Sequence, residues 1–192
     1  MQNKDEEIRK RDIELVARAL KDANKFGDIV QYYEAPLGRY IRRLGCRENE
    51  DINDLLQNIF IKVYINLNDY DSSLKFSSWI YRVAHNETVS FFRKRNIRPS
   101  LITTEEGLNL LESIADTTDF LNTLNEKINA DILSKALLKI EGKYRDVLVL
   151  HFFEEKDYGE ISDILKIPIG TVGTFINRGK KRLRDAVFIK NT

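Results

Sequence analysis

YGEISDILKIPIGTVGTFINRGKKRLR, residues Tyr158–Arg184, carries apolar residues in two helical registers separated by a three-residue break. Ile161, Ile164 and Leu165 are spaced to face a core from a first helix, and Ile167 falls in the turn. Ile169, Val172, Ile176 and Leu183 recur at steps of three, four and seven on a second helix that ends in a basic run. The remaining face of that helix presents Thr171, Thr174, Asn177, Arg178, Lys181, Arg182 and Arg184. These are donors suited to phosphates and base edges. A helix, a short turn and a basic second helix form the layout of a helix-turn-helix, whose second helix enters the major groove. The plainer alternative is an amphipathic hairpin with a solvated basic face.

Working outward, the charge of the chain is uneven. The net formal charge is only +1 over 192 residues, which excludes a general polyanion binder. Yet Lys75, Arg82, Arg93, Lys94, Arg95 and Arg98 stand against Glu87 alone between residues 75 and 98. Residues 99–141 hold eight acids and three lysines, and residues 170–190 hold six basic residues against Asp185. Two basic patches around an acidic middle suggest two contacts with nucleic acid and a segment that avoids it.

Other classes lack support. Cys46 is the single cysteine, so no internal disulfide is possible, and the two histidines, His85 and His151, have no Cys partners at metal-ligand spacing. No metal and no cofactor is expected. No Walker loop or Ser-His-Asp spacing supports an enzyme. The charged start MQNKDEEIRKRD is not a signal peptide, and no apolar run approaches a bilayer span, so a cytoplasmic protein without direct membrane insertion is expected.

Helical periodicity dominates the rest. A first helix is predicted over 12–24 with Ile13, Val16, Ala19 and Leu20 inward. A second over 28–44 buries Ile29, Tyr33, Leu37, Tyr40, Ile41 and Leu44, with Pro36 marking a kink or a break and Gly45 as its stop. A third over 50–67 carries the stripe Ile52, Leu55, Leu56, Ile59, Phe60 and Val63. A fourth over 76–95 places Trp79, Ile80, Val83 and Ala84 inside, with Ser77 or Ser78 as a cap. Further helices are predicted over 126–140 and 144–154. The fold class is all-α: two small helical domains, 1–97 and 126–192, joined by an acidic linker at 98–125, the second domain containing the helix-turn-helix.

Two further blocks stand out. On the third helix Asp51, Asp54, Gln57 and Asn58 share one polar face, either solvated or a docking surface for a protein. On the fourth, aromatic and basic residues interleave, which suits unpaired DNA because bases stack on rings while cations follow phosphates. Arg82, His85, Asn86, Arg93 and Lys94 are not needed by a core; Trp79, Phe91 and Phe92 read equally well as core anchors.

The order of these blocks resembles bacterial sigma factors of the extracytoplasmic-function group. The residues that carry the resemblance are DINDLLQNIF at 51–60, FSSWIYRVAHN at 76–86, KYRDVLVL at 143–150 and GTV at 170–172. The resemblance implies a two-domain transcription initiation factor that binds the beta and beta-prime subunits of core RNA polymerase, promoter DNA and an anti-sigma factor. It implies polymerase docking through Asp51, Asp54, Gln57, Asn58 and Phe60, with Asn58 standing where the family often has an acid. It implies capture of a flipped minus-ten base by the loop Asn68, Asp69, Tyr70, Asp71, Ser72 and Ser73. Unstacking a base costs a few kcal/mol, recovered in such a pocket. Arg82, His85 and Asn86 then lie beside the minus-ten DNA, and Arg93, Lys94 and Arg95 hold its backbone.

For the minus-thirty-five element the resemblance implies contacts from Thr171, Gly173, Thr174, Phe175, Asn177, Arg178, Lys181 and Arg182. Gly173, Thr174 and Phe175 depart from the family's basic, small polar and Arg residues, and Gly179 from its Ala. These changes point to a looser recognition helix, with Phe175 meeting a thymine methyl and Asn177 an adenine. The competing reading is a helix-turn-helix regulator that never engages polymerase.

Overall fold

A computed structural model describes residues 2–95 and 130–188, and among them every regular element is helical. The linker expected at 98–125 lies outside the described residues. Helices α1 (Gln2–Lys21), α2 (Phe26–Leu44), α3 (Asn49–Ile65) and α4 (Phe76–Lys94) come first. Then follow α5 (Ala130–Lys139), α6 (Gly142–Leu148), α7 (Tyr158–Leu165) and α8 (Ile169–Phe188).

The core forms where the apolar stripes meet. Helix α2 buries the six expected residues, Ile29, Tyr33, Leu37, Tyr40, Ile41 and Leu44, against α1, α3 and α4. Each such side chain contributes roughly 1.5–3 kcal/mol. Together they exceed the ~3 kcal/mol that an internal proline costs. The helix accordingly runs unbroken through Pro36. It ends at Gly45, whose φ of 121° excludes a side chain. Helix α3 buries the expected stripe of Ile52, Leu55, Leu56, Ile59, Phe60 and Val63.

Helix α1 starts earlier than expected and turns a different face inward. Leu15, Val16 and Ala19 are buried, together with Asp12, which accepts a 2.8 Å hydrogen bond from the Tyr33 hydroxyl. Ile13 and Leu20 are exposed, at 58% and 49%. Asp12 takes the inward position because Tyr33 supplies a donor, which a buried carboxylate requires.

Helix α4 is buried on two sides. Ile80 and Ala84 face α2 and α3 as expected, while Ser77, Ser78 and Tyr81 are also covered, because α7 packs along α4. Neither serine caps the helix: the N-cap is Lys75, without a side-chain hydrogen bond. Both serine hydroxyls turn instead to the Glu160 carboxylate, a charged and stronger acceptor.

Helix α6 widens into a π turn at Val149–Phe153, where one continuous helix was expected. The chain leaves this turn through Glu154 and Glu155, the latter at φ 52°. Helix α7 opens with a capping box: Asp157 Oδ1 accepts from the Glu160 amide at 2.7 Å, and Glu160 Oε2 accepts from the Asp157 amide at 3.2 Å.

Candidate nucleic-acid and partner interface

The solvent side of α3 forms the first candidate face. Asp54, Gln57 and Asn58 are exposed. Asp51 is half-buried and held by the Arg95 guanidinium at 2.7 Å, so a residue expected on the polymerase face pairs with one expected on DNA. Phe60 is 7% exposed and forms part of the wall of an open groove of about 670 Å³ between α2 and α3. Gln57, Phe26, Val30 and Tyr64 also line it. Ile61, Tyr64 and Ile65 remain exposed at 49%, 49% and 66%. An exposed apolar cluster of this kind marks a contact surface. These three residues fall outside the buried stripe of α3, and that extra apolar content was a signal available in the sequence.

The loop at 68–73 forms the second face. Asn68, Asp69, Asp71, Ser72 and Ser73 are exposed, and Tyr70 is half-buried. Asp71 accepts the Ser73 amide at 2.9 Å, and this hydrogen bond lowers its pKa. The Tyr70 ring lies 5.3 Å from Phe76 and 5.4 Å from Trp79. Three rings thus stand behind a polar loop, with Tyr70 and Trp79 partly open to solvent. Along α4, Asn86, Arg93, Lys94 and Arg95 are exposed and Arg82 is half-buried.

His85 is placed differently from its expected position on the DNA face. Its side chain is 13% exposed, with Nε2 3.9 Å from Asp146 and Nδ1 3.1 Å from the Tyr40 hydroxyl. A proton on Nε2 lets Tyr40 donate to Nδ1 and the ring face Asp146. Burial lowers the His85 pKa, Asp146 opposes this and Arg145 adds to it.

The third face lies on α8. Thr174, Asn177, Arg178, Lys181 and Arg182 are exposed, and Thr171 and Gly173 are half-buried. Val172, Ile176, Gly179, Leu183 and Val187 make the inward stripe, whereas Ile169, expected in it, is 58% exposed. Phe175 is half-buried with its ring edge-on to Tyr144 at 5.5 Å. Arg182 lies 3.4 Å from Glu141 and over the Tyr144 ring at 5.1 Å. A Cβ on Gly179 would lie 3.1 Å from Leu148 and 3.3 Å from Tyr144, so this glycine permits close packing rather than looseness. A Cβ on Gly173 would meet Tyr158 at an ordinary 3.5 Å. Tyr158, 38% exposed beside the recognition helix, joins this face although its position did not stand out from spacing.

Among the described residues, no group of three or more His, Cys, Asp or Glu could hold a metal, and no helix is long and apolar enough to cross a membrane.

Two family models match the chain. Residues 29–97 match Sigma-70 region 2, and residues 130–183 match Sigma-70, region 4. The chain is 35% identical over 176 residues to the ECF RNA polymerase sigma factor SigW of Bacillus subtilis, covering 85% of this chain and 89% of that protein. The chain belongs to the extracytoplasmic-function sigma factors. This sigma factor is also 26% identical over 185 residues to the RNA polymerase sigma-H factor of Pseudomonas aeruginosa, covering 92% and 93% of the two chains. The solved structure of CnrH in complex with the cytosolic domain of CnrY shares its fold, with a TM-score of 0.68 at 19% identity over 94% of this chain and 99% of that one. The sigma factor RpoE of Bartonella quintana, solved with the anti-sigma factor NepR, gives a TM-score of 0.60 at 18% identity, covering 86% and 98%.

Proposed function

We propose that this sigma factor binds core RNA polymerase and directs it to promoters, acting by binding and strand capture rather than by covalent chemistry. It would work in the cytoplasm, where polymerase meets the chromosome. Residues 1–97 dock on polymerase and take the minus-ten element, 98–125 link the domains, and 126–192 take the minus-thirty-five element. The observation that carries this reading is the exposed row Asp54, Gln57 and Asn58 beside the α2–α3 groove, in a chain of this family. In a free-standing regulator that polar row would be only a solvated face, and the exposed apolar Ile61, Tyr64 and Ile65 next to it would have nothing to meet.

Asp54 and Gln57 are assigned to polymerase, with Asp51 and Asn58 beside them and Phe60 supporting the groove. The loop at 68–73 takes the flipped base, with Tyr70 and Trp79 as stacking surfaces. Arg82, Asn86, Arg93, Lys94 and Arg95 follow the strand. Thr174, Asn177, Arg178 and Lys181 enter the upstream major groove. An anti-sigma factor is a further partner of this chain, since a solved sigma factor of the same fold was captured with the anti-sigma factor NepR.

The test is transcription from genomic fragments by core polymerase with and without the protein. Promoter-specific transcripts that depend on the protein are expected. Changing Asp54→Arg and Gln57→Arg together should abolish co-purification with core polymerase while leaving helicity unchanged. Undiminished co-purification would remove the docking assignment.

A further inference from the structure

The solvent side of α8 changes character along its length. Residues four apart form a ridge on a helix. One ridge of α8 runs through Ile169, Gly173, Asn177 and Lys181, and the ridge beside it through Gly170, Thr174, Arg178 and Arg182. The later turns of both ridges carry amide and cationic donors. The first two turns carry no side-chain N–H, and the one hydroxyl there, that of Thr174, donates to the Gly170 carbonyl at 3.1 Å. Ile169 is the large apolar side chain of these ridges, and it is 58% exposed.

The turn that presents Ile169 is anchored on both sides. Lys166 ends α7 at φ 55°, and Ser162 Oγ donates to the Ile167 carbonyl at 2.6 Å. The Pro168 carbonyl accepts the Thr171 and Val172 amides at 2.8 and 3.2 Å. Ile167 packs on the core before Pro168, and Val172 is fully buried after it. The backbone at Ile169 is therefore set by its neighbours, although its own side chain faces solvent.

The N-terminal residues of a recognition helix are those that meet base edges in the major groove. Those edges offer hydrogen-bond acceptors, amino donors and a single apolar group, the C5 methyl of thymine. Isoleucine pressed against any of the polar groups strips water from it and returns no hydrogen bond. An apolar first turn therefore selects thymine. Phe175, which the sequence places against such a methyl, is packed on the core with its ring edge-on to Tyr144 at 5.5 Å. Arg178 and Lys181, exposed further along the same side, complement the phosphates of a duplex whatever its bases.

We propose that Ile169 reads the C5 methyl of a thymine in the upstream element, so that the first turn of α8 chooses its base pair by apolar contact. This deepens the assignment of α8 to the upstream major groove and rests on it.

The experiment uses the full chain with core polymerase on the promoter fragment that the transcription test recovers. Each thymine of the upstream element, on either strand, is replaced in turn by uracil, which removes the methyl and keeps the pairing. Anisotropy of the labelled duplex reads affinity for the wild type, Ile169→Ala, Ile169→Val and Arg178→Ala. Burying one methyl changes an equilibrium roughly fourfold, from the transfer free energy of one CH₂. One uracil should therefore weaken wild-type binding about fourfold. The same uracil should leave Ile169→Ala unchanged, and Ile169→Val should keep most of the response. Arg178→Ala should bind thymine and uracil duplexes less tightly by the same factor, because a phosphate contact does not sense the methyl. Circular dichroism checks that helicity is retained in each variant.

Wild-type binding that is indifferent to every uracil overturns the proposal. So does an Ile169→Ala protein that keeps the full uracil response. Loss of polymerase co-purification by Ile169→Ala with that response intact assigns Ile169 to polymerase and overturns the proposal as well. The underlying reading fails in a different way. Unchanged duplex affinity of Arg178→Ala, or the absence of any promoter-specific transcript, removes the assignment of α8 to upstream DNA, and the role of Ile169 falls with it.

Discussion

Two glycines of α8 show how one atom changes meaning with its surroundings. Read as helix residues, Gly173 and Gly179 each weaken the helix by about 1 kcal/mol relative to Ala. In the structure Gly173 has ordinary room, while Gly179 lies against Leu148 and the Cβ of Tyr144, which cannot retreat without moving α6. Gly173→Ala is therefore expected to raise the thermal midpoint by 2–4 °C, the equivalent of about 1 kcal/mol in a chain of this size. Gly179→Ala should lower it, because overpacking costs roughly 1–3 kcal/mol and exceeds the propensity gain. Differential scanning calorimetry of the pair reads the opposite signs. Asp157 is a second residue-scale case. Burial raises its pKa, but the amides of Glu160 and Gly159 together with Lys75 more than offset this, leaving it below the ordinary 3.8. A depressed carboxylate stabilises above its unfolded pKa and loses that contribution as pH falls through the folded value. Asp157→Ala should cost about 1 kcal/mol at pH 7, a normal loss for a cap. The difference from wild type should shrink below about pH 4 in urea unfolding, as the ordinary carboxylate range is crossed.

At the scale of elements, α8 combines an apolar stripe with a cationic face, and the two can be tested apart. Arg178 and Lys181 are exposed on the proposed DNA side, whereas Arg182 leans on Glu141 and Tyr144. Arg178→Ala with Lys181→Ala should reduce the slope of log affinity against log salt by about 2 on duplex promoter DNA, at roughly 0.9 for each phosphate no longer neutralised. Arg182→Ala should change the slope less and the thermal midpoint more. A fluorescence titration over several salt concentrations separates these outcomes. Helices α2 and α3 were legible from spacing because the buried stripe of each packs chiefly against other helices before residue 95, although α2 also meets the helices after residue 130. Their twelve buried residues are those the periodicity indicates. Helix α4 was less legible. A second partner, α7, arrives from across the chain and covers Ser77, Ser78 and Tyr81, residues that local pattern assigns to solvent or a cap. The capping box Asp157–Glu160 was readable as D-x-x-E before an apolar run, although its second role toward Lys75 was not.

For the whole molecule, the decisive feature is the packing between the helices on either side of the linker. His85 lies in it, facing Asp146 and Arg145 of α6 and Tyr40 of α2. Burial lowers its pKa below the ordinary 6.5. A depressed histidine stabilises the packed form above its unfolded pKa, and that contribution is lost as pH falls from about 6.5 through the packed-state value. Asp146 responds with the opposite sign, because burial raises its pKa against the lowering by His85 and Arg145. The histidine contribution is isolated by comparison: between pH 7.5 and 5.5 the wild type should expand in small-angle scattering more than His85→Gln. Equal responses would remove His85 from the acid sensitivity of the packing.

Local spacing by itself determined the all-helical class, the two-helix motif at 158–184, the basic patches and the order of blocks that marks the family. These depend on side chains a few positions apart, whose relative placement on a helix is set by 3.6 residues per turn. Tertiary structure alone decided that His85 turns inward, that Phe175 leans on Tyr144, that Gly179 is a packing contact and that Glu154 and Glu160 close on α4. Those outcomes join residues from 31 to 83 positions apart. Burial and charge at such sites are set by which surface arrives opposite, and helical periodicity carries no record of it.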